Sequence, residues 1–332
     1  MGKSILVTGA AGFIGSHLCE KLLSLGYQVL GVDNLSVGRM SNLKDIDSRS
    51  FHFIEIDVNE LHKDLLPAEF TKLDYIFHLA AMADIVPSIT NPEIYFESNV
   101  RGTLKILELA RRLQVKKFVY TASSSCYGIP SVFPTPESAA ISPEYPYALT
   151  KFLGEELVMH WSKVYKIPSI SLRFFNVFGP RARTSGSYGA VFGVFLAQKK
   201  SGQPLTVVGD GNQTRDFTYV TDVIDALIVS AESNIKNQIF NVGSGGTYAI
   251  NHLVDLLGGE VVNIPKRPGE PDCTFGDISK IGRMLGWKPR VSFEEGVKNM
   301  LENLETWKDA PIWTPEMIEK ETKLWFQFLG KE

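Results

Sequence analysis

Residues 4–25 read SILVTGAAGFIGSHLCEKLLSL, and the fold turns on how Gly9, Gly12 and Gly15 interrupt them. Ser4 to Thr8 is a short β-prone run that stops at glycine. From Gly12 onward, Phe13, Ile14, Leu18, Leu22 and Leu25 recur at helical spacing, so a strand passes through a glycine turn into an amphipathic helix. The next apolar run, YQVLGVD at 27–33, ends in an acid. Strand, glycine turn, helix and strand in this order make a parallel βαβ unit.

The turn GAAGFIG sits one residue off the G-x-G-x-x-G spacing of dinucleotide-binding turns, but the physics is shared. Its first glycine permits the tight turn. The middle one lets backbone amides approach a pyrophosphate, and the third lets the helix pack close to the strand. Asp33 is placed to accept hydrogen bonds from the adenosine ribose and to repel a 2′-phosphate. No Arg or Lys accompanies it before Arg39, which favours NAD over NADP.

Further β-prone runs follow at 51–57 (FHFIEID), 74–80 (DYIFHLA) and 117–123 (KFVYTAS), with a strong amphipathic helix at 99–113. Alternating strands and helices predict an α/β fold with a Rossmann-type doubly wound parallel sheet. Ligands then bind at the carboxyl ends of the strands, here GAAG, Asp33, Asp57, AAMAD (80–84) and SSSCYG (123–128).

The 332 residues carry a net charge of −3 and a hydrophobic fraction of 44%, the balance of a soluble globular chain. There is no basic excess for nucleic acid and no apolar run that could span a bilayer. Cys19, Cys126 and Cys273 lie far apart, with neither metal-ligand nor disulfide spacing, which fits a reducing compartment. At the start of the chain, Gly9 to Gly12 break the apolar core a secretory signal needs. Leu6 stands where myristoylation wants Ser or Thr, and Gly2-Lys3-Ser4 lacks the glycine loop of a triphosphate site. The expectation is a cytoplasmic protein without a metal.

The stretch YPYALTK, residues 145–151, sets Tyr147 one helical turn before Lys151, with Tyr145 out of register. An ammonium beside a phenol lowers its pKa and makes it a usable acid or base. Ser123, Ser124 and Ser125 end a sheet strand that would face the same space. No histidine is placed to activate them except His78, inside an apolar strand. They therefore read as hydrogen-bond donors to a substrate oxygen, not as nucleophiles.

GAAGFIG, Asp33, Asp57-Val58, HLAA, SSSCYG and Tyr147-x-x-x-Lys151 together resemble an extended short-chain dehydrogenase/reductase of the NAD-dependent epimerase/dehydratase family. RFFNVFGPR (173–181), VVGDGNQTRDFTYVTDV (207–223) and RPGEPDCTFGDISK (267–280) resemble that family's nucleotide-sugar segments, so the likeness spans nearly the whole chain. It implies a Rossmann domain at 1–177, to which the chain returns at about 217–244, and a smaller mixed α/β substrate domain at 178–216 and 245–332. It also implies catalysis by Ser123, Tyr147 and Lys151. NAD would be bound by Gly9, Gly12, Phe13, Ile14, Gly15, Asp33, Asn34, Asp57, Val58, Leu79, Ala80, Ala81 and Asn99, with Tyr147 and Lys151. The nucleotide sugar would meet Asp84, Ser124, Ser125, Asn176, Arg215, Arg267 and Thr274.

By the same resemblance, Tyr147 takes a proton from a sugar hydroxyl while hydride passes to NAD, giving a 4-keto sugar. Dehydratases of the family place an Asp-Glu pair after the catalytic Ser/Thr, and decarboxylases generally keep a glutamate at the Ser125 position. The 3,5-epimerases have a cysteine there, whereas Cys126 stands one residue late. The simplest outcome is 4-epimerisation of a UDP-hexose or UDP-N-acetylhexosamine. Thr274 is small where a tyrosine excludes N-acetyl sugars, and the triple serine is similar to epimerases of N-acetylated UDP-hexosamines. A 4-keto-sugar reductase, an epimerase at another carbon and a non-catalytic NAD-binding sensor are the alternatives. Asp84 is either an acceptor for the sugar or a cap on the segment after it. The helices at 99–113 and 147–165 are those through which the family dimerises. The tail at 314–329, with a good N-cap and proline at the first helical position, is expected to pack Trp325 and Phe326 on the body and is given no function.

Overall fold

The computed structural model describes residues 2–46, 49–182 and 190–330. Six strands, β1 (Ser4–Thr8), β2 (Gln28–Asp33), β3 (Phe51–Glu55), β4 (Tyr75–His78), β5 (Lys117–Ser123) and β6 (Ser169–Phe174), form one sheet with the later strand Gln238–Val242. The spatial order is Gln238–Val242, β6, β5, β4, β1, β2, β3, and every pairing is parallel. The order reverses beside β1, which opens a crevice at the carboxyl ends of β1 and β4. In register, Thr8 pairs with Val32 and His78, Ser123 with Phe174, and Phe174 with Val242, so the strands end along one line.

Both faces of the sheet are covered, which is why its strands read as continuous apolar runs. Alternate residues go to opposite sides. Ile5, Val7, Val29, Phe77 and Val119 share a cluster with Leu18 and Leu22 of the helix Phe13–Ser24. Leu6, Leu30, Val32, Ile76, Phe118 and Tyr120 share another with Ile106 and Ala110 of Gly102–Leu113 and Val158 of Pro146–Tyr165. The helix expected at 99–113 starts as a π-helical turn, Glu97–Arg101, before Gly102–Leu113.

Beyond Asn176 the chain makes two-stranded pairs: Asn176–Phe178 with Phe217–Tyr219, Thr214–Arg215 with Tyr248–Ala249, and Leu205–Val208 with Val261–Ile264. Phe178, Phe192, Phe217, Tyr248 and Phe293 interleave among them, with centroids 4.5 Å apart for Phe178–Phe192 and 4.4 Å for Tyr248–Phe293. The last helix, Pro315–Leu329, is capped by Thr314, whose hydroxyl accepts from Met317 N at 3.3 Å. Among the described residues no helix is long and apolar enough to cross a membrane.

A buried ion pair fastens the helix Pro146–Tyr165 to the sheet. Arg173 Nη2 donates to Glu155 Oε1 at 2.6 Å, with side chains 4% and 1% exposed. Glu155 also accepts from Ser171 Oγ at 2.7 Å, and Arg173 Nη1 donates to Tyr127 Oη at 2.8 Å. Tyr127 Oη in turn donates to Asn241 Oδ1 at 2.7 Å. Removing one charge strands the other in the core. Glu155→Gln should therefore lower the free energy of unfolding by about 3–5 kcal/mol, measured by urea denaturation. A change below about 1 kcal/mol would show that the pair behaves like an exposed one.

Candidate active site

The glycine turn after β1 leaves no room for side chains. Gly9 has φ +71°, and a Cβ there would lie 2.9 Å from Ala80 N. A Cβ on Gly15 would fall 2.0 Å from Gly9 O, so only glycine lets the helix Phe13–Ser24 start this close to the strand. That helix has no side-chain cap and no acid in its first turn, an arrangement suited to an anion at its N-terminal amides.

Asp33, 7% exposed, closes the next strand end. Its Oδ2 accepts from Ala11 N at 3.0 Å and its Oδ1 from Leu35 N at 2.8 Å. Burial pushes its carboxyl above the usual range, and the two backbone donors oppose the shift. A Cβ at Gly38 would come within 2.7 Å of Asp33 Oδ2, so the following loop lies directly against the carboxylate. Asn34 Nδ2 donates to Asp57 Oδ2 at 2.8 Å, bridging the ends of β2 and β3. A cradle that a Cβ would fill, a helix N-terminus and a carboxylate at the second strand end fit an adenine dinucleotide.

A chain of buried hydrogen bonds stands behind this cradle. Thr8 Oγ1 accepts from Leu79 N and Ala80 N, both at 3.2 Å, and lies 2.8 Å from His78 Nδ1. His78 Nε2 lies 3.0 Å from Thr103 Oγ1, which donates to Asn99 O at 2.6 Å. Burial, and to a smaller extent Lys151, pulls His78 down to about 3, so the ring is neutral. Asn99 continues the chain: Oδ1 accepts from Met82 N at 2.8 Å, and Nδ2 donates to Met82 O and Thr150 Oγ1, both at 3.0 Å. Thr150 Oγ1 donates to Tyr147 O at 3.0 Å.

One cavity of about 640 Å³ runs from the glycine turn to the C-terminal helix. Gly9, Gly12, Phe13, Ile14, Gly15, Asp33, Asn34, Asp57, Val58, Leu79, Ala80 and Ala81 line its first part. Ser123, Ser124, Ser125, Tyr147, Lys151, Asp84, Asn176, Arg215, Arg267 and Thr274 line the remainder. Asn99 is the exception: it is 1% exposed and off the cavity wall, with its side chain engaged by Met82 and Thr150. Those bonds tie the Met82 loop to the helix Pro146–Tyr165.

Tyr147 and Lys151 enter the cavity from one helix, as the four-residue spacing requires. Their electrostatics differ from the expected lowered phenol. Burial raises Tyr147, with only the Ser123 hydroxyl acting the other way. Burial lowers Lys151 to about 7, with Glu155 opposing. Each is taken out of water more than it is helped by its neighbour. Lys151 Nζ sits 4.5 Å above the Tyr120 ring. Ser123 Oγ lies 2.8 Å from Ser125 Oγ and accepts from Ser125 N at 3.2 Å, at the start of the 3₁₀ turn Ser124–Tyr127. Cys126 is buried and pushed up to about 12.

At the far end Arg215, 8% exposed, donates to Thr214 O, Pro271 O and Glu270 Oε1 at 3.0, 2.9 and 3.0 Å. Arg267 Nη1 lies 3.7 Å from Glu270 Oε2, so one carboxylate bridges both guanidiniums. Thr274 does more than stay small. Its hydroxyl donates to Asn176 Oδ1 at 2.9 Å and accepts from Asp216 N at 3.0 Å. Asp84 is the N-cap residue of the short helix Ile85–Thr90, yet its side chain makes no capping bond. Its carbonyl accepts from Tyr95 Oη at 2.6 Å.

Several wall residues lie outside the motifs that the sequence offers. Tyr145 stacks on Tyr147, with centroids 6.4 Å apart and planes 7° off parallel. Glu270 and Trp325 line the same wall. The stretch RPGEPD carried a signal for Glu270, since an acid three residues after an arginine is a ready partner.

The model of the NAD dependent epimerase/dehydratase family matches residues 5–243. A putative UDP-glucose 4-epimerase of Methanocaldococcus jannaschii is 36% identical, over 90% of this chain and 97% of that protein. The UDP-N-acetylglucosamine 4-epimerase of Methanobrevibacter ruminantium, solved with UDP-N-acetylmuramic acid, superposes with a TM-score of 0.86 at 32% identity. That match covers 92% of this chain and 99% of that one. The UDP-glucuronic acid 4-epimerase of Bacillus cereus, solved with UDP-glucuronic acid and NAD, gives 0.84 at 32% identity, covering 91% and 99%.

The lysine in this site makes stability depend on pH. Below pH 7 Lys151 is charged folded and unfolded, and the folded state carries the whole cost of its burial. Between about 7 and 10.5 the folded state has lost a proton that the unfolded chain keeps, so stability rises with pH there. In NAD-free protein, Lys151→Met should be more stable than wild type at pH 6 by on the order of 2 kcal/mol. Urea denaturation at pH 6 and pH 9 should show that advantage shrinking at the higher pH. An advantage equal at both would place the charge in water.

Proposed function

The chain belongs to the NAD-dependent epimerase/dehydratase family, and we propose that it is a nucleotide-sugar 4-epimerase working through a transient 4-keto sugar. The observation that carries this reading is the turn after Ser123. Where the family's dehydratases need an acid pair for a second reaction, this turn presents hydroxyls, with Ser125 Oγ 2.8 Å from Ser123 Oγ. With no added acid there, the ketone's route is return of the hydride.

NAD would be held by the glycine turn, Asp33, Asn34, Asp57, Val58 and Leu79–Ala81, and would supply reversible hydride chemistry beside Tyr147. Tyr147 takes the proton of the sugar 4-hydroxyl, and Ser123 donates a hydrogen bond to that oxygen. Lys151 binds the nicotinamide ribose and, when protonated, favours the phenolate. Arg215, Arg267 and Asn176 hold the diphosphate while the sugar turns its other face. Uniform grip on the sugar would oppose that turn, so anchoring by the nucleotide fits the reaction better.

Thr274 leaves room for a 2-acetamido group, and the triple serine supports an N-acetylated hexosamine as substrate. The exposed apolar Leu149 on the helix Pro146–Tyr165, with Ile94 and Phe96 on the short helix that leads into the segment 99–113, supports a homodimer through the two helices at 99–113 and 147–165.

Purified protein incubated without added cofactor with UDP-GlcNAc, UDP-glucose or UDP-glucuronate should give the 4-epimer of one of them, read from its anomeric proton resonance. Tyr147→Phe should slow this by about 10³-fold. A stable 4-keto product, or a need for stoichiometric NADH, would sink the epimerase reading in favour of a dehydrogenase or reductase.

A further inference from the structure

The C-terminal helix Pro315–Leu329 reaches the cavity through one side chain. Trp325 is 2% exposed and touches three parts of the site. Its Nε1 donates to Pro268 O at 2.7 Å, beside Arg267 in the chain. The Arg267 guanidinium lies over its ring at 5.6 Å. Its ring lies tilted by 52° to that of Tyr145 with centroids 6.3 Å apart, and Tyr145 stacks on Tyr147. Behind it, Ile318 and Thr322 are buried, which seats the helix on the body of the protein.

We propose that Trp325 is a positioning residue for the nucleotide diphosphate, fixing the Arg267 guanidinium at a set distance from Tyr147. The inference rests on the epimerase reading only in taking a nucleoside diphosphate as the group that Arg267 meets. An indole face beside a guanidinium attracts the cation through the ring quadrupole, which occupies none of the N–H groups that phosphate oxygens would use. The indole hydrogen bond to Pro268 O fixes the backbone from which Arg267 springs. Glu270, bridging Arg267 and Arg215, holds the second guanidinium in the same frame. Trp325 thereby links Arg267 to Tyr145, and through it to Tyr147. Such a link acts on binding and on the sugar's reach to Tyr147, and not on the NAD cradle some distance along the cavity.

The test compares Trp325→Phe and Trp325→Leu in the full chain, after thermal melts establish a temperature at which both are folded. Binding of UDP, and of dTDP as a second probe, is measured by calorimetry, and KM and kcat by the NMR assay. Phenylalanine keeps a ring face and leucine keeps apolar bulk. The expected order is wild type, then Trp325→Phe within about threefold in UDP affinity, then Trp325→Leu about tenfold weaker. KM should follow the same order, with kcat changed less and bound NAD retained equally. If Phe and Leu weaken UDP alike, or neither does, packing alone explains the contact and the inference falls. If wild type binds neither UDP nor dTDP and makes no 4-epimer, the epimerase reading falls with it. If wild type binds UDP but makes no 4-epimer, the Phe–Leu order still decides the role of Trp325.

Discussion

Arg173 on β6 and Glu155 on the helix Pro146–Tyr165 hold opposite charges together at 2.6 Å in the interior, where neither is stable alone. The pair matters through what is attached to it. Glu155 stands one helical turn beyond Lys151, itself one turn beyond Tyr147, so both cavity side chains inherit the position of this helix on the sheet. Arg173 also reaches Tyr127, at the end of the serine turn, and Tyr127 reaches Asn241 on the edge strand Gln238–Val242. One ion pair thus sets the helix, the serine turn and the edge of the sheet in a single frame.

That frame explains how so large a cavity can coexist with fixed chemistry. The dinucleotide side is made of backbone: glycines without room for a Cβ, strand ends and a helix start. The nucleotide-sugar side is made of two-stranded pairs and loops, where long side chains do the positioning. Arg215, Glu270, Arg267 and Trp325 form that side as a chain of charge and ring contacts, drawn from a two-residue strand, the loop 267–270 and the C-terminal helix.

The sheet was legible because its signals are local. Glycines 9, 12 and 15 between a strand pattern and a helix pattern need nothing else to be read, and the strand ends follow from the alternation. Tyr147 and Lys151 were legible for the same reason, since four residues on a helix is one turn. What stayed hidden depended on distant partners. The bonds of Asn99 to Met82 and Thr150 are set by how distant segments pack, which its place in the sequence does not report. The raised phenol of Tyr147 reflects burial, which no spacing reports. Thr274 was read by size alone, while its hydroxyl fastens Asn176, 98 residues away in sequence. Trp325 was set aside as packing because its partners, Arg267 and Tyr145, meet it only in the folded chain.

The buried chain from Thr8 to Asn99 has a direction. Thr103 gives its one proton to Asn99 O, so its oxygen is left to accept from His78 Nε2. Thr8 already receives Leu79 N and Ala80 N, so its proton goes to His78 Nδ1. The imidazole is thereby held as the Nε2–H tautomer, with each link donating the same way. Reversing the chain would press a third donor onto Thr8 Oγ1 and leave the Thr103 oxygen facing the Asn99 carbonyl, acceptor against acceptor. The loop that edges the dinucleotide cradle is therefore oriented by a proton order as well as by packing, and a single protonation of His78 would be felt at its far ends.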